Sequence, residues 1–165
     1  MVGLKDNGGN PIRNADASIE IHGVTYKCRS DDKGDARLII RLNPGTYTAK
    51  ITFDNVNYTG FTQYVTVIIK KLTPKLTAKK KTFKRTVKTK KYTIVLKDNT
   101  GKAIKKAKVT IKIGKKTYAA KTNSKGKATF KIKKLTKKGT YKATVTFKGN
   151  KYYNKVVKKV KIKIK

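Results

Sequence analysis

The residues of this chain with the most evident chemistry are its basic side chains. Lysine and arginine number 44 against eight acidic residues, which gives a formal net charge of +36 at pH 7, and only five of the basic residues are arginine. Lysine is a hydrated point charge, whereas arginine is a planar fork that recognises phosphates and guanine edges with paired hydrogen bonds. The composition therefore predicts diffuse attraction to polyanions rather than recognition of a specific nucleic-acid sequence.

The charge is concentrated in the C-terminal half of the chain. Residues 1–72 contain ten basic and seven acidic residues, whereas residues 73–165 contain 34 and one, a net charge of about +33. Small soluble domains typically have net charges of about 2 to 8 in magnitude. Self-repulsion of this size destabilises the folded state, and a bound polyanion would reduce it and release counterions. The alternative explanation is a solvated surface encoded by an A·T-rich genome that favours lysine codons.

The residue types that most catalytic sites require are scarce. His22 is the only histidine, Glu20 is the only glutamate, and Asp98 is the only acid after residue 72. The C-terminal half therefore has no histidine for a Ser-His-Asp triad and no second carboxylate for a glycosidase-type pair. We predict that the protein is not an enzyme and needs no cofactor.

The acidic run at residues 31–35 has the composition of a calcium loop, because Ca²⁺ prefers clustered oxygen ligands. Residues 123–127, which align with it in the repeat described below, have the same turn pattern without the acids. We therefore predict an ordinary turn and no metal. The single cysteine, Cys28, cannot form an internal disulfide.

Two covalent modifications are also conceivable from the residue types. Asn57 begins an Asn-Tyr-Thr sequon, which predicts glycosylation on a surface loop of an exported protein. Lys5 or Lys97 with Asn57 or Asn150 supplies the residue types of an isopeptide bond. The lack of any glutamate in the second half, which removes one type of assisting acid, argues against such a bond.

The chain repeats itself. Residues 4–7 (Leu-Lys-Asp-Asn) recur as residues 96–99, residues 45–47 (Gly-Thr-Tyr) recur as 139–141, and the offset grows from 92 to 94. A period of this length indicates tandem small domains, which we place at residues 1–72 and 73–165. The first copy lacks a counterpart of residues 76–92. We therefore expect it to lack its first strand, as a piece cut from a longer array of upstream repeats would. The linker is predicted at residues 70–75, where Pro74 discourages a continuous strand.

Apolar and polar residues alternate along most of the sequence, which predicts β-strands with one buried and one solvated face. Valine, isoleucine, threonine and tyrosine dominate these segments. Turn residues separate them at short intervals. The fold class is therefore all-β, with two tandem, disulfide-free, immunoglobulin-like β-sandwiches. In the second copy we predict strands at residues 82–87, 91–97, 107–113, 116–122, 127–133, 139–147 and 156–164.

Tyr47 and Tyr141 occupy equivalent positions in the two copies. In antibody domains a corner tyrosine precedes the second disulfide cysteine by two residues, and its hydroxyl hydrogen-bonds to the backbone upstream. Ala49 and Ala143 occupy the place of that cysteine here. We therefore predict that both tyrosines tie a loop to the start of a strand.

The order of these signals resembles that of a known family. Each copy has Leu-x-Asp-x-x-Gly, alternating Val/Ile, a tyrosine, a Gly-containing turn, Gly-Thr-Tyr and a later Phe and Tyr. This order is similar to that of the tandem bacterial-type Ig-like repeats of prokaryotic surface proteins. The lysine-rich second copy most resembles repeats of archaeal, methanogen adhesin-like proteins. The resemblance implies a non-catalytic module at the cell surface, with the near-neutral first copy as a stalk unit.

The outward lysines of the second copy are the candidate binding residues. They alternate with core positions, so both outer faces of the sandwich are expected to be positive, and we treat residues 131, 133, 142, 161 and 163 as one such face. The expected partner is an anionic cell-wall polymer or glycan. The alternative is a basic nucleic-acid-binding module, and weak non-specific binding to nucleic acid is expected in either case. The sequence contains no apolar run of about 18 residues, so we predict no transmembrane segment. The candidate polyanion-binding residues are Lys112, Lys131, Lys133, Lys142, Lys161 and Lys163.

Overall fold

A computed structural model describes residues 1–55 and 57–165 of the chain, with the side chains of Asp54 and Thr59 outside the description. Within these ranges the regular structure consists of strands, with no helix. The chain divides into two compact units, Met1–Lys70 and Lys71–Lys165. The strands are, in order, β1 (Val2–Gly3), β2 (Asp16–Ile21), β3 (Val24–Arg29), β4 (Asp35–Ala36), β5 (Gly45–Asn55), β6 (Tyr58–Ile69), β7 (Lys75–Thr77), β8 (Lys81–Phe83), β9 (Thr89–Lys97), β10 (Lys108–Ile113), β11 (Lys116–Lys121), β12 (Lys127–Lys133), β13 (Gly139–Phe147) and β14 (Val156–Ile164).

The second unit is a sandwich of two sheets. One sheet has the strand order β12-β9-β7 and the other β11-β10-β13-β14-β8. β7 pairs antiparallel with β9, whereas β8 pairs parallel with β14 in the opposite sheet. The three residues between β7 and β8, residues 78–80, therefore cross from one sheet to the other. This is the two-sheet, disulfide-free immunoglobulin-like architecture that the sequence predicts.

The core of the second unit follows from the alternating pattern. Along β12, Ala128, Phe130 and Ile132 are buried, and the residues between them are exposed. The same alternation in β9, β10, β13 and β14 brings the apolar faces of both sheets together in one cluster. Burial of these side chains supplies most of the stabilisation, at about 25 cal/mol per Å² of apolar surface.

Two predicted boundaries of the second unit are wrong. The strand predicted at residues 82–87 ends at Phe83, and Lys75, predicted as the end of the linker, begins β7 (residues 75–77), a strand that was not predicted. Leu72 also belongs to this unit, because its backbone exchanges hydrogen bonds with residues 152 and 154. Strands of three residues are too short to show alternation, and their pairing depends on partners far away in the sequence.

The first unit contains only part of this sandwich. Its main sheet has the order β3-β2-β5-β6, and the second sheet is reduced to the pair β1-β4. Among residues 1–55 and 57–70 there is no counterpart of β7 or β8, and only β1 remains of β9. Leu38, Ile40 and Leu42 still pack on the main sheet. Ile39 between them is 91% exposed.

The two units agree in individual hydrogen bonds as well as in strand order. In the first unit the buried Ser30 hydroxyl accepts from the Ala15 amide (3.0 Å) and donates to the Ile12 carbonyl (2.7 Å). Thr122 makes the same two bonds with the residues 92 positions later, at 2.8 and 2.7 Å. A buried hydroxyl needs such partners, so this position accepts serine or threonine. The sequence repeat is therefore also a structural repeat.

Candidate polyanion-binding site

All six candidate lysines are exposed, but they lie on two opposite surfaces. Lys131 and Lys133 belong to β12 in the three-stranded sheet, whereas the other four belong to strands of the five-stranded sheet. Exposed residues of a sandwich point away from the core, so the two groups face in opposite directions. The expectation that residues 131, 133, 142, 161 and 163 share one face is therefore wrong. Alternation shows which residues point outward, but it does not show on which sheet they lie.

Several lysines are placed directly opposite other lysines on adjacent strands. Lys142 is opposite Lys161, and Lys91 is opposite Lys131. Like charges in such positions destabilise a sheet. Each outer face of the second unit therefore contains a local concentration of positive charge.

A groove is present on the five-stranded side of the second unit. It consists of two adjoining depressions of about 680 and 480 Å³, and Lys80 and Lys161 line both of them. The first is also lined by Ala78, Lys142, Ala143, Thr144, Lys159 and Val160. The second is also lined by Lys81, Thr82, Thr140 and Lys163. Three of the six predicted lysines, residues 142, 161 and 163, therefore lie in one groove.

The crossing segment that forms one wall of this groove is held by two side chains. The Tyr92 hydroxyl donates to the Lys79 carbonyl oxygen at 2.7 Å, and the ring is buried. Burial raises the pKa of Tyr92. Lys81 Nζ donates to the Lys91 carbonyl oxygen at 3.1 Å and lies 5.1 Å from the centroid of the Phe83 ring. The backbone on both sides of Lys80 is therefore held in place.

The groove is lined mainly by lysine and threonine residues, with one half-buried alanine. Ala143 and Val160 are buried, Ala78 is half-buried, and lysine and threonine side chains surround them. The second unit has one carboxylate besides the C-terminus, and it is engaged elsewhere. Asp98 Oδ1 accepts from the Thr100 hydroxyl and amide and from the Lys102 amide, at 2.7 to 2.9 Å. The Thr100 hydroxyl is the main cause of the lowered pKa of Asp98, so that carboxylate stays ionised within its own turn.

Sequence reasoning missed three lysines of the groove and one buried lysine. Lys80 and Lys81 lie where the chain crosses between sheets, a step that alternation does not reveal. Lys159 was omitted, although it alternates with Val160 like its neighbours. Lys90 is 1% exposed, and its Nζ donates to the Val87 carbonyl oxygen at 2.7 Å. Lys90 lies two residues before the buried Tyr92 on β9, so the alternation of the sequence places it among the inward-facing residues.

The corner tyrosines lie at the starts of β5 and β13. The Tyr47 hydroxyl donates to the Asn43 carbonyl oxygen and the Tyr141 hydroxyl to the Lys137 carbonyl oxygen, both at 2.8 Å. Both bonds are exposed. The exposed His22, in the turn after β2, contacts Tyr47 edge to face with ring centroids 5.5 Å apart. That contact gives this histidine a packing role.

The remaining candidates lie in turns. Asp31 Oδ1 accepts from the amides of residues 33 and 35, and Asn123 Oδ1 accepts from those of residues 125 and 127, so the acid acts as a turn cap. These backbone bonds, first that from Asp35, lower the pKa of Asp31. Asn57 is exposed in the turn between β5 and β6, and the side chain of Thr59 in its sequon lies outside the described residues.

The other residue types also lie apart. Cys28 is half-buried on β3, and burial raises the pKa of its thiol. Lys5, Lys97 and Asn150 are on the surface, as is Glu20. Within residues 1–55 and 57–165, no helix has the length and apolar character needed to cross a membrane.

The sequence matches the profile of no known protein family and no curated protein. Solved structures of low similarity include a Ca²⁺-stabilised adhesin that helps an Antarctic bacterium reach out and bind ice (14% identity, TM-score 0.35), over 98% of this chain and 43% of that one. Another is a 1.5-MDa bacterial ice-binding adhesin (13%, TM-score 0.35), over 93% and 55%. A third is Drosophila N-cadherin EC1-4 (11%, TM-score 0.41), over 84% and 38%. This chain thus spans 38% to 55% of these proteins, and its fold assignment rests on the strand pairing described above.

Proposed function

We propose that this chain is a non-catalytic repeat segment of an extracellular, adhesin-like surface protein. In this proposal the first unit is a stalk module. The second unit holds the protein on an anionic cell-wall polymer or glycan by multivalent electrostatic attraction. The resemblance of the sequence to Ig-like repeats of prokaryotic surface proteins, methanogen adhesin-like proteins among them, supports the location.

The observation that carries this proposal is the difference between two surfaces on one scaffold. At equivalent positions of matching strands, Asp16 and Glu20 in the first unit are replaced by Lys108 and Lys112 in the second. β2 and β10 have the same alternation of buried and exposed residues. The scaffold therefore does not require lysine at these positions. Since each added like charge costs stability, the lysines need another explanation, which a polyanionic partner provides.

The nucleic-acid alternative has less support from the site. Proteins that bind single strands stack bases on aromatic side chains, and sequence-specific readers commonly use arginine. The residues that line the groove are lysine, threonine, alanine and valine. Attraction to nucleic acid through charge alone is still expected.

The test compares the full chain with a variant in which three lysines are replaced by the acids of the first unit, Lys108→Asp, Lys112→Glu and Lys127→Asp. Binding to acidic polysaccharide, neutral polysaccharide and duplex DNA is measured over a salt series. We expect tighter binding to the acidic than to the neutral polysaccharide, a steep loss with salt and weaker binding by the variant, because counterion release drives binding. Equal binding to the neutral polysaccharide, or tight DNA binding at high salt without polysaccharide binding, would contradict the proposal.

A further inference from the structure

We infer that the groove beside β14 binds one chain of a linear acidic polysaccharide and is the main site of attachment. This inference rests on the proposed function and makes it more specific. Diffuse attraction predicts that all surface lysines contribute alike. A groove predicts that lysines on one side of the sandwich matter more than an equal number on the other side.

The first argument is the arrangement of charge. Lys159, Lys161 and Lys163 are at alternate positions of β14, so their Cα atoms are about 7 Å apart along the strand. Lys142 lies directly opposite Lys161 on β13, Lys80 approaches from the crossing segment on the other side, and Lys81 is the first residue of β8. A row of ammonium groups flanked by further lysines suits a polymer with regularly spaced carboxylates. The repulsion between residues 142 and 161 decreases when an anion lies between them.

The second argument is the chemistry between the charges. Ala78, which is half-buried, provides a small apolar surface that suits the C–H face of a sugar ring. The hydroxyls of Thr82, Thr140 and Thr144 can donate to and accept from sugar hydroxyls. Ligand sites commonly combine an apolar surface with a few placed polar groups. A simple inorganic anion would use the lysines but neither of these features.

The third argument is the rigidity of the groove wall. The buried Tyr92 hydroxyl holds the backbone at Lys79, and Lys81 is hydrogen-bonded to β9. β8 is fixed to β14 by parallel pairing of residues 81–83 with residues 162–164. A groove that exists before the ligand arrives loses less conformational entropy on binding than a flexible surface does.

The test uses two triple variants of the full chain with the same change of net charge. The groove variant is Lys80→Gln, Lys142→Gln and Lys161→Gln. The control is Lys91→Gln, Lys131→Gln and Lys133→Gln on the opposite sheet, and each variant removes one directly opposed lysine pair. The probes are a short oligogalacturonate, its neutral methyl ester and single-stranded DNA of equal charge. Affinity is measured by calorimetry near physiological salt, and circular dichroism checks the fold of each variant.

We expect the groove variant to bind oligogalacturonate at least about tenfold more weakly, and the control at most about threefold more weakly, than the unmodified chain. The methyl ester should not bind measurably. Equal losses in the two variants would overturn the groove and leave the proposed function intact. Failure of the unmodified chain to bind any of the polyanions would overturn both. Groove-dependent binding that is tighter for the DNA would assign the groove to nucleic acid instead.

An NMR titration of the unmodified chain provides a readout that does not depend on the folding of any variant. Oligogalacturonate should shift the amide signals of residues 142–144 and 159–163 more than those of residues 129–133. The reverse pattern, or equal shifts on the two sheets, would overturn the groove assignment.

Discussion

The hydroxyl groups of Tyr92 and Tyr141 both donate to backbone carbonyl oxygens, but in different surroundings. The Tyr92 ring is buried, whereas the Tyr141 bond is exposed. We expect Tyr92→Phe to lower the free energy of unfolding of the second unit by about 1 to 1.5 kcal/mol and Tyr141→Phe by about 0.5 kcal/mol, because water can replace an exposed donor. Urea denaturation of both variants measures this. A larger loss for Tyr141→Phe would show that the corner bond is the more important one.

Substitutions at Gly126 and Gly114 distinguish two costs of adding a side chain, the strain of a left-handed backbone and steric overlap with a neighbouring residue. Both glycines have positive φ, at +70° and +57°. A Cβ at Gly126 would overlap the Leu96 carbonyl oxygen, whereas one at Gly114 would meet open space. Left-handed backbone alone costs about 1 to 2 kcal/mol, so Gly114→Ala should lose that amount and Gly126→Ala clearly more. Thermal unfolding of the two variants tests this, and equal losses would mean that the overlap relaxes at no cost.

Asp98 should make the stability of the second unit sensitive to acid. Its pKa lies below the model-compound value of 3.8, chiefly because of the Thr100 hydroxyl. A carboxyl with a lowered pKa in the folded state contributes stability above the unfolded pKa and loses it as pH falls through the folded pKa. Asp98→Asn should therefore weaken the dependence on pH below about 4. An unchanged acid profile of thermal unfolding would contradict this role.

The strand β12 and its counterpart in the first unit allow a comparison at the level of elements. Residues 130–133 pair with β9, whereas residues 38–41 at the equivalent positions form no ladder. Amide exchange depends on hydrogen bonding and on local opening. We expect the amides of residues 130–133 that donate to β9 to exchange at least about a hundredfold more slowly than the amides of residues 38–41.

Hydrogen exchange followed by mass spectrometry on the intact chain gives both rates in one experiment. Both segments are in the same molecule, so differences in solvent conditions do not affect the comparison. Equal protection of residues 38–41 and 130–133 would show that the first unit completes its second sheet in solution.

Elements with several alternating residues could be predicted from the sequence, and shorter ones could not. Strands β10 to β14 contain enough alternating residues to indicate where each strand begins and ends and which of its faces points to the core. β7 and β8 have three residues each, so their assignment depends on pairing with β9 and β14. The groove arises from the crossing between those two short strands. The sequence therefore indicated three of its lysines but not the wall that makes it a groove.

At the level of the whole molecule, the charge division between the halves was visible in the sequence, and the charge distribution over the surface was not. Net charge predicts the class of partner because counterion release depends on the number of charges. Specific contacts depend on which charges are neighbours. Lys131 and Lys161 have the same alternation signal, yet they lie on opposite sides of the second unit.

The opposed lysine pairs predict that salt has opposite effects on folding and on binding. Screening weakens the repulsion between Lys142 and Lys161, so the melting temperature of the second unit should rise between about 0.01 and 0.5 M NaCl. Affinity for an acidic polymer should fall over the same range. Calorimetry on the full chain measures both quantities. A melting temperature that falls with salt would show that these pairs do not limit stability.

The same pairs make the second unit vulnerable to proteases in one state and resistant in another. A ligand that binds only the folded form stabilises it by mass action, and cleavage follows the population of opened molecules. In dilute medium without polymer, the facing lysines repel each other, so the fraction of molecules with an opened second unit is largest. Trypsin-like proteases, which cleave after lysine, then cleave the protein fastest. If the second unit binds an acidic polymer as proposed, the opened fraction falls in the bound state. A molecule that detaches would then be degraded first, so proteolysis would leave intact protein mainly where it is attached.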